Sequence, residues 1–350
     1  MKRAELVQQR VCNQRLSYSE FQRPVEVVRW LGAVQAQDFN GAKWAVALRM
    51  VDATRETIEA AFNCGEILRT HLLRPTWHFV APEDIRWLLE LTAPRVNVRC
   101  GPNYRKYELD DTTFKRSNKT LTRALQGGKH LTRAELKAAL NRSGVAADDI
   151  VRLAHILLRA ELDGVVCSGP RIGKQFSYAL LEERVPPAKP LPRDEALAKL
   201  TRTYFQSHGP ATLNDFIWWS GLTTGDARES IALLANDLDE VTVNSIVYWA
   251  GSFSRTNPRV ELRDAHLLPA YDEYNVAYKN REPLPDVALL SPTIMLNGEI
   301  AGNWKPVNTK NSVTIAVTTA RPLKHSEKRA LIRAADKYAT YLGIPVRVDM

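Results

Sequence analysis

The chain has 350 residues, of which 45% are hydrophobic and 25% charged, and its formal net charge is +9. This length exceeds the usual size of one hydrophobic core, so two or more domains are expected. No apolar run approaches the roughly 18 to 20 residues of a transmembrane helix, and the charged N-terminal stretch lacks the apolar segment of a signal peptide, so we expect a cytoplasmic protein without a membrane partner.

The first part of the chain predicts three helices followed by a β-hairpin. The helices are predicted near 25–33, 40–49 and 55–62, and the strands at 67–72 and 76–80. Leu73-Arg74-Pro75 would form the turn between the strands. Together with a predicted helical linker at 82–110, these elements make up a first expected domain, residues 1–110.

One short stretch interrupts this helical pattern and carries two side-chain amides. Val34-Gln35-Ala36-Gln37-Asp38 lies between the first two predicted helices, and Asp38 or Asn40 is placed to cap the second of them. In an extended connection, residues two apart share one face, so Gln35 and Gln37 are predicted to converge on one ligand. The alternative is that both amides satisfy backbone groups at a helix end.

The pattern of three helices and a hairpin then occurs a second time. Helices are predicted at 118–126, after Thr132 and after Asp148, and strands at 165–168 and 176–180. Thr132 and Glu135 have the spacing of a capping box. Because the hairpin turn is basic, the pattern predicts a winged helix, which we assign to residues 111–190.

A third copy follows a proline-rich connector at 185–192, and a β-rich region ends the chain. Helices are predicted at 195–207, 213–220 and 226–234, with capping-box spacing at Thr212 and Thr223. Beyond Asp239, β-type runs are found at 241–250, 265–269, 293–296, 300–304, 313–318 and 345–348, with an Asn297-Gly298 turn and a helix near 326–341. We therefore predict an α+β fold, with a third winged-helix unit at 191–240 and a β-rich domain at 241–350.

A series of short motifs occurs in one order along nearly the whole chain. They are Gln35-Ala36-Gln37-Asp38, Arg74-Pro75-Thr76-Trp77-His78 and residues 164–171, 180–186, 208–212, 219–222 and 267–273. In this order they resemble the winged-helix DNA glycosylases of the AlkZ and YcaQ type. The resemblance implies tandem winged helices and a barrel-like C-terminal domain around a concave DNA-binding surface, with activity on alkylated or crosslinked bases. In that family a Gln-x-Gln or Gln-x-Asp motif has the catalytic role, and this chain has the Gln-x-Gln form at Gln35 and Gln37.

The chemistry of N-glycosidic bond cleavage suits a pair of neutral amides. Cleavage builds positive charge on the sugar, and a purine alkylated at N7 is already a cationic leaving group, so no strong acid is required. Two amides can hold a water and turn their carbonyl oxygens toward the developing charge, although neither amide can act as a base. Asp38 is a candidate base, but helix capping is the commoner role of an Asp at that position.

Eight further residues are candidate contacts to the substrate or to DNA. They are Arg74, His78, Arg152, His155, Arg159, Arg171, Lys174 and Asp272. A basic hairpin turn with Arg171 and Lys174 is suited to reach a groove or a phosphate. The alternatives are a hydrogen-bonded hairpin histidine for His78, a solvated helix face for residues 152, 155 and 159, and ordinary surface charge for the turn. Asp272 and Glu273 form a candidate carboxylate pair.

Neither a metal site nor a disulfide framework is expected. The four cysteines are scattered and show no C-x-x-C pair, and we predict buried thiols. Trp218 and Trp219 are predicted to lie in the core, since exposing both would be unfavourable.

Two function classes follow, a DNA glycosylase and a non-catalytic winged-helix DNA-binding protein such as a regulator. Both predict salt-dependent binding to double-stranded DNA, damaged in the first case. The paired amides favour the glycosylase, because a regulator has no need for them. We expect no cofactor, no obligate protein partner and a location in the cytoplasm, at the nucleoid.

Overall fold

The computed structural model of the protein describes residues 1–252, 264–279, 287–288 and 290–350. Contacts within the chain divide it into two compact units. Unit 1 comprises Met1–Glu59, Leu197–Trp219 and Thr223–Met350, and unit 2 comprises Ala60–Ala196 and Ser220–Leu222. Unit 1 is thus assembled from distant stretches of sequence, whereas unit 2 is nearly continuous.

Helices and strands alternate along the chain in a mixed α+β arrangement. The helices are α1 (Arg3–Asn13), α2 (Pro24–Leu31), α3 (Phe39–Leu48), α4 (Arg55–Cys64), α5 (Pro82–Lys106), α6 (Asp111–Leu125), α7 (Arg133–Arg142), α8 (Ile150–Leu162), α9 (Leu181–Arg184), α10 (Arg193–Ser207), α11 (Leu213–Ser220), α12 (Thr224–Ala232), α13 (Glu273–Val276) and α14 (His325–Leu342). The strands are β1 (Val34–Gln35), β2 (Leu68–Leu72), β3 (Thr76–Val80), β4 (Leu131–Thr132), β5 (Val166–Ser168), β6 (Ser177–Leu180), β7 (Leu238–Val243), β8 (Ile246–Gly251), β9 (Ala265–Leu268), β10 (Thr293–Leu296), β11 (Glu299–Asn308), β12 (Val313–Thr319) and β13 (Val346–Asp349). None of the helices in these described ranges is both long and apolar enough to cross a lipid bilayer.

In unit 1, the first helices leave a short extended link between them. Pro24 is the first residue of α2, where its missing N–H breaks no helical hydrogen bond. Gly32, with a φ of +79°, ends that helix in a conformation that suits a residue without a Cβ. Asp38 then caps α3 by accepting from the N–H of Asn40 at 3.1 Å. The predicted connection between two helices is confirmed, and so is the capping role of Asp38.

The middle segment of unit 1 contains helices and a hairpin. Thr212 opens α11 with the predicted capping box, since the N–H of Asp215 donates to its Oγ1 at 3.1 Å and its own N–H donates back to Asp215 Oδ2 at 3.0 Å. The run at 241–250, predicted as one stretch, is two antiparallel strands, β7 and β8. They turn at Asn244 and Ser245, which both have positive φ. Two such residues make a tight hairpin turn, which the alternating pattern alone does not show.

The C-terminal part of unit 1 is a five-stranded sheet in the order β13-β12-β11-β10-β9, with only the β12–β13 pair parallel. The predicted Asn297-Gly298 turn joins β10 to β11, with φ values of +53° and +83°. Helix α14 lies against both edge strands, β9 and β13. The predicted barrel-like region is therefore a sheet curled around α14 as a half-barrel.

In unit 2, residues 111–180 combine three helices with a three-stranded antiparallel sheet in the order β4-β6-β5. Thr132 and Glu135 form the predicted capping box of α7. Asp149 caps α8 by accepting from two backbone N–H groups at 2.7 and 2.9 Å. Ile150 in that helix is 72% exposed. It is the first helical residue, so little of unit 2 covers it.

The predicted hairpin of β2 and β3 also lies in unit 2, in antiparallel register with Thr70 opposite His78. It is followed by α5, the predicted helical linker, which continues through Pro94 and Pro102.

Two predictions of burial are wrong in part. Trp219 is fully buried, but Trp218 is 44% exposed and donates its indole N–H to the carbonyl of Val276 at 3.0 Å. The hydrogen bond satisfies the polar edge of the ring, so part of its surface can remain in water. Cys64 is likewise exposed, whereas the other three cysteines are buried, and all four are free thiols. Burial raises the pKa of Cys167 to about 12.

Candidate functional site

The Gln-x-Gln stretch begins in strand β1 and is buried as far as Ala36. Val34 and Ala36 are buried at 1% and 0% exposure, Gln35 retains 7%, and Gln37 is exposed. The chain bends at Gln37 before it enters α3. Gln35 is therefore the more enclosed of the two glutamines.

A buried carboxylate holds the backbone of this stretch. Glu273, at 0% exposure, accepts the N–H of Gln35 at 2.7 Å with Oε1. Its Oε2 accepts the indole N–H of Trp219 at 3.0 Å and lies 3.4 Å from Nε2 of His208. Burial lowers the pKa of His208, and the Glu273 carboxylate opposes that shift. Strand β1 is thus held by a side chain that lies 238 residues further along the sequence.

The residue before Glu273 belongs to a second buried network. Asp272 and Arg49, both fully buried, form a two-pronged ion pair with N···O distances of 2.8 and 2.9 Å. The other guanidinium N–H groups donate to the backbone carbonyls of Gln14 and Ala45 and to the side-chain oxygen of Gln14. All five N–H donors of Arg49 are therefore satisfied, as a buried guanidinium requires. Asp272 also caps α13 through the N–H of Tyr274 at 2.9 Å.

Gln14 connects the two networks through a tyrosine. Its Nε2 donates to the hydroxyl of Tyr278 at 3.1 Å, and that hydroxyl donates to the carbonyl of His208 at 2.8 Å. Burial raises the pKa of Tyr278 to about 12, so the hydroxyl stays protonated and can donate. Sequence reasoning did not identify Gln14, Arg49 or Trp219 as parts of this site. No local signal marks them, because their partners are far away in the sequence.

His78 and Arg74, both of unit 2, lie on the hairpin of β2 and β3 and at its turn. His78 is fully buried, and its Nδ1 is 2.9 Å from the carbonyl oxygen of Thr76. Arg74 is half-buried, and its backbone N–H donates to Leu72 at 2.6 Å. His78 is therefore a hydrogen-bonded hairpin histidine, which was the alternative to a contact with the substrate.

The three basic residues of α8 are half-buried and make contacts within unit 2. Arg152 donates to backbone carbonyls of Tyr107, Glu108 and Ala146. Arg159 donates to Asp163 at 2.7 Å and lies 4.7 Å from the ring centroid of Phe114. His155 lies between Tyr104 and Tyr107, at 5.8 and 5.9 Å between ring centroids, and burial lowers its pKa. The structure brings the three side chains onto one helix but gives each a partner.

The turn between β5 and β6 carries the two remaining basic candidates. Lys174 is exposed, and Arg171 is half-buried. The Arg171 guanidinium donates to the carbonyls of Lys174 and Gln175 and lies 4.3 Å from the ring centroid of Phe176. Arg69, which sequence reasoning did not identify, covers the same ring at 4.8 Å and Trp77 at 4.1 Å. These contacts stiffen a basic turn whose tip still faces solvent.

Known proteins resemble the chain over most of its length. The sequence profile of the family described as AlkZ-like DNA glycosylases matches residues 28–341. A protein of Streptomyces sahachiroi named "Interstrand DNA cross-link repair glycosylase" is 27% identical over 331 residues, which cover 87% of this chain and 88% of that protein. The solved structure of Streptomyces sahachiroi DNA glycosylase AlkZ aligns with a TM-score of 0.83 at 20% identity, with all of both chains covered. The matched range includes both glutamines, Arg49 and Glu273, and it shows that the chain belongs to the AlkZ-like DNA glycosylase family.

Proposed function

We propose that the protein hydrolyses the N-glycosidic bond of N7-alkylated or crosslinked purines in double-stranded DNA, with Gln35 and Gln37 positioning the water. The observation that carries this proposal is the placement of the two amides. Gln35 ends strand β1 and Gln37 follows two positions later, just before α3, within the part of the chain that matches a DNA glycosylase family. The relative from Streptomyces sahachiroi, which is named as an interstrand DNA cross-link repair glycosylase, supports the choice of lesion.

The two glutamines are proposed to have different roles, because they differ in exposure to solvent. Gln37 is exposed, so its amide can meet a substrate that arrives from solvent. Gln35 is nearly enclosed and is fixed through its backbone N–H, so its amide has few orientations to choose from. A water held between them would face the sugar as positive charge develops there, and their carbonyl oxygens would stabilise that charge. Such a catalyst favours lesions with a good leaving group.

DNA binding is assigned to winged-helix units, with their predicted bounds of 1–110, 111–190 and 191–240. The three helices and the β4-β6-β5 sheet of unit 2 support the second of these. We propose that Arg171 and Lys174 at its wing contact phosphates, and that Arg152, His155 and Arg159 on α8 support the same surface. Arg74 is a further candidate contact at its hairpin turn. For the fully buried His78 and Asp272 we propose a structural role in place of direct contact.

The test is single-turnover release of free base from duplex DNA that contains N7-methylguanine, and unhooking of a nitrogen-mustard crosslink. The wild-type protein should release base. Replacing either glutamine with alanine should slow release by roughly 30- to 1000-fold, the effect of losing one positioned hydrogen bond in a transition state. Lesion-DNA affinity should stay nearly unchanged, because a neutral amide forms no ion pair with a phosphate. Wild-type rates in both alanine variants, or DNA binding without base release by the wild type, would favour a non-catalytic DNA-binding protein.

A further inference from the structure

The backbone of Gln35 is held by a long-range contact that neither helix capping nor strand pairing requires. The partner, Glu273, lies 238 residues further along the chain and is the first residue of the short helix α13. Its carboxylate is wholly buried, and its Oε1 lies 2.7 Å from the Gln35 nitrogen. Gln35 is only 7% exposed, so its N–H needs an acceptor within the protein. A buried acidic side chain supplies that acceptor.

A buried carboxylate is unfavourable unless strong donors compensate for its lost hydration. Glu273 receives the peptide N–H of Gln35 and the indole N–H of Trp219, with His208 at 3.4 Å. Hydrogen bonds to an ionised acceptor are shorter and stronger than neutral ones. The contact to Gln35 therefore restrains the peptide of Gln35 more firmly than a neutral carbonyl would.

The position of the carboxylate is itself fixed on both sides. Asp272, the preceding residue, is locked to Arg49 by two charged hydrogen bonds. On the other side, the ring of His208 is stacked on Tyr204 with an interplanar angle of 11°. Glu273 thus stands on a rigid support, as a group must if it is to hold another group in place.

We propose that Glu273 is a positioning residue for Gln35. It holds the side-chain amide of Gln35 in place through the backbone N–H of that residue and does not contact the substrate. This inference rests on the proposed function, in which Gln35 orients the attacking water. A displacement of about 1 Å in a positioned group can lower a rate by about 100-fold. Loss of the Glu273 contact should therefore reduce base release while DNA affinity is kept.

Glu273→Gln and Glu273→Asp weaken the contact in different ways. The amide of Glu273→Gln has one oxygen, so either Gln35 or Trp219 loses its acceptor. Glu273→Asp keeps the charge but withdraws the carboxylate by roughly one bond length, about 1.5 Å. The matched control is Glu161→Gln in unit 2, because Glu161 is also buried and accepts a strand backbone N–H, that of His71, at 2.9 Å.

Two measurements test the inference, and the first does not depend on activity. Hydrogen exchange of the backbone amide of Gln35, measured by NMR, should be slow in the wild type and at least about 10-fold faster in both Glu273 variants. Single-turnover base release from N7-methylguanine DNA at saturating protein should fall by about 10- to 100-fold in both, with the lesion-DNA Kd within about twofold. Glu161→Gln should change neither quantity.

Unchanged Gln35 exchange in both Glu273 variants would overturn the inference, as would an equal loss of rate in Glu161→Gln. If the wild type released no base, the proposed function would fail. The exchange measurement would then still decide whether Glu273 positions the Gln35 peptide.

Discussion

The buried ion pair of Arg49 and Asp272 should make unit 1 sensitive to a single atom change. In Asp272→Asn, one carboxylate oxygen becomes an NH2 group that faces the guanidinium. One of the two charged hydrogen bonds, at 2.8 or 2.9 Å, is then lost, and the positive charge of Arg49 is left uncompensated at 0% exposure. Breaking a buried pair from one side destabilises proteins by about 3 to 5 kcal/mol. For a unit of this size the melting temperature should fall on the order of 10 °C.

Urea and thermal unfolding, followed by circular dichroism, measure this loss. Asp237→Asn is the matched control, because Arg202 and Asp237 of the same unit form a pair with an N···O distance of 2.7 Å while 43% and 48% exposed. That exposed pair should contribute less than about 1 kcal/mol. Equal losses in the two variants would refute the argument from burial. A large loss of DNA affinity in Asp272→Asn without loss of stability would instead restore this residue as a DNA contact.

Three further predictions concern the active site, the DNA surface and pH. Gln37→Asp keeps an acceptor and matches the Gln-x-Asp form of the motif, so it should retain more base-release activity in single-turnover assays than Gln37→Ala. Arg171→Ala and Lys174→Ala should each reduce the slope of log K against log salt by about one if the side chain contacts a phosphate, and an unchanged slope would exclude the contact. Two hydrogen bonds from Arg321 hold the pKa of Glu327 at about 2, below its usual 4.5, so this pair stabilises the fold above pH 4.5 and loses its effect as the pH falls toward 2. Carboxyl NMR titration should show the Glu327 pKa rising toward 4.5 in Arg321→Ala, and a pKa that stays near 2 would contradict the assignment.

The elements that were predicted correctly are those set by local chemistry. A capping box such as Thr132 with Glu135 needs only residues three apart, and the Asn297-Gly298 turn needs only two neighbours that accept positive φ. The Gln35 link was recognisable because it interrupts two helical periodicities. The family resemblance and the α+β class are confirmed by the profile match and by the mixed fold.

What the sequence could not provide are contacts between distant residues. Glu273 could be seen as one of two adjacent acids, but its bond to the Gln35 backbone and the bond of Asp272 to Arg49 join residues more than 200 positions apart. Hydrophobic periodicity does not predict such contacts, because it describes one helix or strand at a time. The partial exposure of Trp218 could not be predicted for the same reason. Its indole N–H donates to the carbonyl of Val276, which is distant in the sequence.

The discontinuous path of unit 1 has a consequence for synthesis on the ribosome. Unit 2 is almost complete once Ala196 has been made, so its core can close while later residues are still being translated. The first 59 residues must wait, because the carboxylates that satisfy Arg49 and the Gln35 backbone are added only when residues 272 and 273 emerge. Until then Arg49 needs solvent, and the segment around it cannot be packed as in the native state. A slow or stalled ribosome before residue 272 would therefore leave a folded unit 2 attached to an unfinished N-terminal segment, which is a natural target for chaperones.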